Sequence, residues 1–409
     1  MANRRALKAA RKVILKGLPV VWAHQGRGQA IGLHVDAREV WAGWESGDVV
    51  VFDHAGKVLR RWKLPTGVDA LVADEAWRYA GGHDGNVYDL TGKRPRVSYE
   101  VEGGRIHWVD VYRGNLCASD AEGGLTVTDP DGQRLFHVAP KRASQGWMAR
   151  ADASGVYLGN SQGVTKVSWK GKKLWHAKTD AVGFGWQEAD RVYAFVGYGG
   201  GDRAAVVAID KRTGKVLARG SCWSEQKHYS GNTAAACATG RGGDVMYGGT
   251  CDTLFAFDTR GALLWEAPTR KVGATCSMAY HRMPSGQERL YVVTHRGQLA
   301  CLDVSDAAVA KAKKTAGKVA RARALARVAI TARTVDETKK AGKGVVVECV
   351  KEGAKVRVRV VSKGYHQDWF CQFPRDIREV GARYVVDEVR EASQGGFYRV
   401  LGDIKRLRG

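Results

Sequence analysis

Sulfur and imidazole side chains crowd one stretch of this chain: Cys222, His228, Cys237, Cys251, Cys276, His281, His295 and Cys301. Thiolates and imidazoles are zinc ligands, and a tetrahedral set at about 2.0–2.3 Å would hold a metal. No C-x-x-C occurs, and no pair has the short separation of a finger-type site. The competing account is that small Cys side chains pack where strands crowd, and the spacing favours it. Cys237 in TAAACAT and Cys276 in GATCSMA hold equivalent places in successive units, which puts both on inner strands.

The second chemistry on offer is recognition of anions. The chain carries 65 Lys and Arg against 42 Asp and Glu, a net charge of +23, and the excess is not spread evenly. Residues 1–35 hold seven basic side chains and no acid, among them Arg4, Arg5, Lys8, Arg11 and Lys12. Residues 307–345 hold 11 basic and two acidic, whereas residues 36–306 are close to balance with 34 against 31. At 100° per residue, Lys311, Lys314, Lys318 and Arg321 fall on one side of a helix, with Val309, Ala312, Ala316 and Val319 opposite. Arg323 and Arg327 then intrude on the apolar side. This segment is a helix whose first half docks while its basic face stays free, or a low-complexity Ala/Lys tail. Either form suits phosphates. Farther on, Arg357, Arg359 and Lys363 on a strand pair lie near Tyr365, Trp369 and Phe370, a composition fit for phosphate contact and base stacking. A half-buried sheet with a solvated basic face accounts for the same residues.

These side chains must be positioned by repeated elements. VFDHAGKVLRRW, YDLTGKRP, VTDPDGQRLF, VSWKGKKLW, AIDKRTGKVLA, FAFDTRGALLW and CLDVSD share an apolar strand ending in Asp or Ser, and all but the last have a Gly turn. The anchors are Asp53, Asp89, Asp129, Ser168, Asp210, Asp258 and Asp303, a period near 40 residues. Such a period marks stacked supersecondary units. A short polar side chain caps the turn and Gly accepts positive φ, so each copy is a β-hairpin. Two further strands precede each hairpin, as in VDALVADE and RYAGGHDG, which gives the four strands of a propeller blade. The seventh unit lacks its outer strand. GLPVVWAH, residues 17–24, reads like the outer strands GALLWEA and GKKLWHA, so Leu18–His24 is expected to complete the last unit and close the ring.

AIDKRTGKVLARG resembles the quinoprotein repeat signature A-x-D-x-x-T-G-x-x-x-W, with Ala208, Asp210, Thr213 and Gly214 in place and Ala218 where Trp belongs. The stretch from Phe257-Asp258 to Trp265 matches more loosely. The likeness, to quinoprotein-type and WD-repeat propellers, covers roughly residues 18–306 and implies a blade type, in which the signature ties one blade to its neighbour. It implies no activity. Quinoprotein dehydrogenases have eight blades, a secretion signal and adjacent cysteines over the cofactor; none is seen here. The Trp-Asp dipeptide of WD repeats is also missing from every copy.

The expected organisation is a mainly β chain: a basic arm (1–17), a seven-bladed propeller (18–306), a basic helical linker (307–343) and a small α+β domain (344–409). In the last, GVVVECV and KVRVRVVS form a hairpin, DWFCQF a third strand, and FYRVLGDIKRL a final strand. Pro374 opens a helix whose face is Ile377, Val380, Tyr384, Val385 and Val389. No apolar run approaches the roughly 20 residues of a membrane-spanning helix. The start has no secretory core, and the cysteines are expected as reduced thiols, which together point to the cytoplasm. No G-x-S-x-G, P-loop or H-E-x-x-H is present, and the glycine-rich GYGGGDR, residues 197–203, is expected as a loop within a hairpin. The chain is therefore expected to be a non-catalytic adaptor without catalytic residues or cofactor. It would bind a protein partner on a propeller face, and RNA or DNA through its basic arms. The alternative is a metal- or quinone-dependent oxidoreductase built on Cys222, His228, Cys237, Cys251 and Cys276.

Overall fold

A computed structural model describes residues 15, 17–74, 76–101, 104–197, 204–222, 236–251, 253–269, 272–313, 344–352, 355–365, 369–374, 376–391 and 397–407. The chain divides into two compact units, Met1–Arg321 and Ala322–Gly409.

Among the described residues, the first unit is built from seven four-stranded antiparallel sheets. Their inner strands are Ala30–Val35, Val68–Ala73, Ile106–Tyr112, Met148–Asp152, Val182–Gln187, Ala236–Gly240 and Thr275–Arg282. Each packs on the next, and the last packs on the first. In six sheets the strands follow one another in sequence order. The seventh is composite, because Val20–Gln25 is its outer strand and pairs with Gln298–Asp303, Trp22 opposite Cys301 and His24 opposite Leu299.

The repeated Asp does what its position requires. Asp53 Oδ1 accepts the backbone N–H groups of Ala55 (3.0 Å) and Lys57 (2.8 Å), and Gly56 takes φ 89°. Asp129, Asp210 and Asp258 cap their turns in the same way, and Ser168 does so with its hydroxyl. The turn glycine has a second duty. A Cβ at Gly56 would lie 2.8 Å from the ring of Trp22, on the outer strand of the preceding sheet. Trp22 Nε1–H donates to the His54 carbonyl at 3.0 Å, completing a clasp between neighbours. The same clasp joins Trp62 to Gly92 O (3.0 Å) and Trp175 to Lys211 O (3.0 Å), with Gly214 against the Trp175 ring. Where Ala218 replaces the aromatic residue, the next turn settles instead on the backbone of Arg219, beneath Gly261.

Trp265, on the sixth outer strand, has no following turn to meet. It shares one apolar cluster with Leu15, Val304, Val309 and Ala312. Leu15 N–H donates to Glu266 O at 2.8 Å, and residues 306–313 form a helix, α1, whose Ala308, Val309 and Ala312 are buried. Ser305 Oγ caps α1 by accepting from Ala308 N–H (3.3 Å). Of the linker, the structure describes only this first stretch of helix; residues 314–343, on which the choice between helix and low-complexity tail rests, lie outside the described set.

The second unit is a closed five-stranded barrel. Around it run Val345–Glu352, Lys355–Val360, Phe370–Gln372, Phe397–Arg406 and Arg383–Glu391, the third and fourth of these parallel. The expected helix after Pro374 is not formed, so among the described residues this unit is all β rather than α+β. Residues 383–391 are a strand in which Tyr384, Val386 and Val389 face the core. A bulge between Val386 and Glu388 shifts the alternation by one residue. The resulting two-then-three spacing imitates a helical face. Val380, assigned to that face, is 58% exposed.

Candidate functional site

The inner strands of six sheets contribute to one apolar cluster, through Ile31, Trp108, Ala149, Phe184, Cys237 and Cys276. Trp108 meets Phe184 edge-on, with ring centroids 4.5 Å apart. Into this packing the fold admits a few charged groups. The Arg150 guanidinium lies between the Trp108 and Trp186 rings, 4.7 Å from each centroid, and donates to the Gly185 carbonyl through Nε and Nη2 at 3.3 Å. Asp110 accepts from Ala151 N–H on the neighbouring inner strand (2.9 Å) and from Val111 N–H (3.0 Å). Burial pushes the Asp110 carboxyl up, with the Arg150 charge acting against it. The pair joins the third sheet to the fourth and fifth.

A second polar group sits at the N-terminal ends of the second to fourth inner strands. The buried Asp69 carboxylate accepts from Arg105 Nη2 (2.9 Å) and Nε, and from His83 Nε2 (2.8 Å). A carboxylate can only accept here, so His83 carries its proton on Nε2. Burial alone would raise Asp69; the hydrogen bonds from His83 and Arg105 hold it below the usual range instead. Two residues beyond Arg105, His107 stacks on Trp147 with centroids 3.8 Å apart and planes 2° from parallel. His107 is 5% exposed, and burial pushes it down to about 4. His107 Nδ1 and Trp147 Nε1 are both buried and make no hydrogen bond among the described residues. Between them they offer an indole donor and a neutral imidazole nitrogen, suited to a carbonyl, a hydroxyl or a water rather than to an ion.

The cysteines belong to the packing. All eight are free thiols and all but Cys251 are buried. Cys237 and Cys276 do lie on successive inner strands, the sixth and seventh. Their thiols donate to backbone carbonyls, Cys237 to Phe184 O (3.6 Å) and Cys276 to Ala274 O (3.8 Å). Burial pushes Cys237 up to about 12 and raises Cys222 and Cys276 as well, which opposes the thiolate form. Among the described residues no group of three His, Cys, Asp or Glu is placed to hold a metal ion; His228 lies outside them. His281 stacks on His54, centroids 4.4 Å apart.

Of the basic residues, Arg4, Arg5, Lys8, Arg11, Lys12, Lys314, Lys318 and Arg321 lie outside the described residues, and Lys311 is exposed on α1. The root of α1 is held by ion pairs: Arg241 binds Glu288 through Nε and Nη2 at 2.6 Å each, and Asp306 at 2.8 Å. In the barrel, the expected stacking residues are divided. Tyr365 and Trp369 pack towards Tyr398, at 5.8 and 5.2 Å between centroids. Phe370 instead lies beneath Arg357 and Arg359, at 4.3 and 4.8 Å. The axial groups His107, Trp147, Asp69 and Arg150 escaped the sequence reading. A usable signal was present, since IHWVD, QGWMARAD and VGFGWQ place Trp108, Trp147 and Trp186 at the start of three successive units.

Among solved structures, the WD40 β-propeller domain of Doa1 is similar at a TM-score of 0.55 and 12% identity, over 72% of this chain and 99% of that one. The computationally designed Ika8 protein has a TM-score of 0.48 at 16% identity, over 71% of this chain and all of its own. BamB from Moraxella catarrhalis has 0.48 at 14%, over 67% and 84%. No family model and no curated protein matches the chain. The likeness to the Doa1 domain is one of architecture alone, and with the seven four-stranded sheets it makes the first unit a β-propeller.

Proposed function

We propose that this chain is a non-catalytic propeller scaffold that binds a protein partner on a propeller face and contacts nucleic acid through its basic arms. The observation that carries the reading is the segregation of charge. Residues 1–35 and 307–345 together hold 18 Lys and Arg against two acids, while residues 36–306 are nearly balanced. The placement of the arms supports it. Leu15, at the end of the first arm, and Val309 and Ala312, at the start of the second, share one apolar cluster, so both arms leave the propeller from one locality. Polycations rooted together raise each other's effective concentration on a long polyanion.

The reading is tested by fluorescence-anisotropy titration of the full chain with RNA and DNA at two salt concentrations. Counterion release predicts a steep loss of affinity, about 0.9 log unit per log unit of salt for each duplex phosphate neutralised. Replacing Lys311, Lys314, Lys318 and Arg321 together with Gln should flatten that slope and leave thermal stability nearly unchanged. Absence of binding to both nucleic acids at low salt overturns the polyanion half. The scaffold half is examined by capture of partners after RNase and DNase treatment, where proteins retained only through nucleic acid drop out.

A further inference from the structure

We propose that the outer face of the C-terminal barrel is a docking surface for single-stranded nucleic acid, with Arg357, Arg359 and Phe370 as its stacking and phosphate-binding platform. The proposal rests on the polyanion reading and assigns it a face and a form of nucleic acid. Val358 and Val360 are buried and Val356 packs on the same core, so Arg357 and Arg359 project outward from Lys355–Val360. Across the sheet, Arg383, Glu348, Arg359 and Phe370 stand in one row. Both guanidinium groups lie over the Phe370 ring, at 4.3 and 4.8 Å from its centroid.

The charges on this face are not locked. Glu352 binds Arg357 Nε at 2.6 Å and Arg359 Nη2 at 3.6 Å, and Glu348 binds Arg383 at 3.1 Å. The Glu352 side chain is 43% exposed, so its pairs sit in water and contribute little. Each guanidinium has five donors, and these contacts occupy a minority of them. A phosphate can therefore replace Glu352 with little loss and gain bidentate geometry. Guanidinium groups seated over an aromatic ring are suited to pair with a further flat π-system, and nucleobases expose such faces only where they are unpaired. A duplex buries those faces in its own stack and presents phosphates, which suit the basic arms instead.

The test uses the full chain with labelled oligo(dT), oligo(U) and a duplex of equal length. The Arg357→Gln/Arg359→Gln double variant should lose on the order of ten-fold in affinity for both single strands, the scale of one stacked base. Its salt slope on oligo(dT) should fall by about 0.7 for each phosphate contact removed, while duplex binding stays at the wild-type level. Phe370→Leu, which keeps an apolar residue in place, should weaken single-strand binding without changing the slope. Unchanged single-strand affinity in the double variant, a parallel fall in duplex affinity, or no single-strand binding by the wild type would each overturn the proposal. Failure of the arm reading alone looks different: the duplex would go unbound, or would bind as tightly after replacement of Lys311, Lys314, Lys318 and Arg321, while the single strands still bind and still lose affinity in the double variant.

Discussion

Mild acid should weaken the propeller through His107, and the size of the effect follows from its burial. The imidazole is folded into its stack with Trp147 as the neutral base and pushed down to about 4, against an ordinary value of 6.5. A group whose folded pKa lies below its unfolded one costs nothing above pH 6.5, where both states are neutral. As pH falls from 6.5 towards 4, the unfolded chain takes up a proton that the folded one refuses, so stability drops. The full difference of about two and a half units amounts to roughly 3 kcal/mol, of which about 1.4 kcal/mol is already lost near pH 5.5. Asp69, held low by His83 and Arg105, is ionised in both folded and unfolded chains between about pH 7.5 and 5.5 and adds its own loss of stability only at lower pH. Urea unfolding of wild type and His107→Phe at about pH 7.5 and pH 5.5 isolates the contribution, since Phe keeps a flat ring for Trp147 and cannot titrate. The wild type should lose about 1.4 kcal/mol more than the variant between the two conditions. Equal losses would show that His107 is not buried as a neutral base, and the account of the axial stack would fall.

Trp22→Ala should destabilise the propeller by about 3 kcal/mol, through the lost ring contacts with Phe52 and Tyr291 and the hydrogen bond to His54 O. Removal of residues 1–12 should leave the melting temperature almost unmoved; equal melting temperatures for all three proteins would rule out closure by this strand. Gly261→Ala and Gly286→Ala form a matched pair, with φ 84° and 82°. Both bear the conformational cost of about 1 kcal/mol, but a Cβ at Gly261 runs into the Arg219 backbone, whereas a Cβ at Gly286 would point into open space. Calorimetry should find Gly261→Ala the more damaging by a further 1 kcal/mol or so; similar melting temperatures would contradict the close approach.

Most of the propeller was legible because its determinants are local and repeated. An Asp two to four residues before the N–H groups it caps, a glycine at positive φ and an outer-strand aromatic recur at nearly constant spacing. The composite seventh sheet could be read for the same reason, since VVWAH matches the other outer strands before any partner is known. The barrel strand at residues 383–391 was misread because a bulge at Asp387 breaks the two-residue period that identifies strands. The stack of His107 on Trp147 was harder to read, for another reason. His107 lies on the third inner strand and Trp147, 40 residues later, just before the fourth, and the packing of these two neighbouring sheets brings them together.

The seam between the two ends of the propeller sequence also sets a timetable for synthesis. Trp22 finds its partner strand only when Cys301 has been made, so the first of the described propeller strands is the last of that unit to be paired. At about 5–20 residues per second that wait is on the order of 15–55 s. Throughout it, Val20 and Val21 stand on a strand with no neighbour, in a chain whose first six sheets can already be forming. The nascent propeller is thus an open arc until its final strands emerge. The interval before the ring shuts is when a chaperone, or a second copy's unpaired strand, would compete for the same edge.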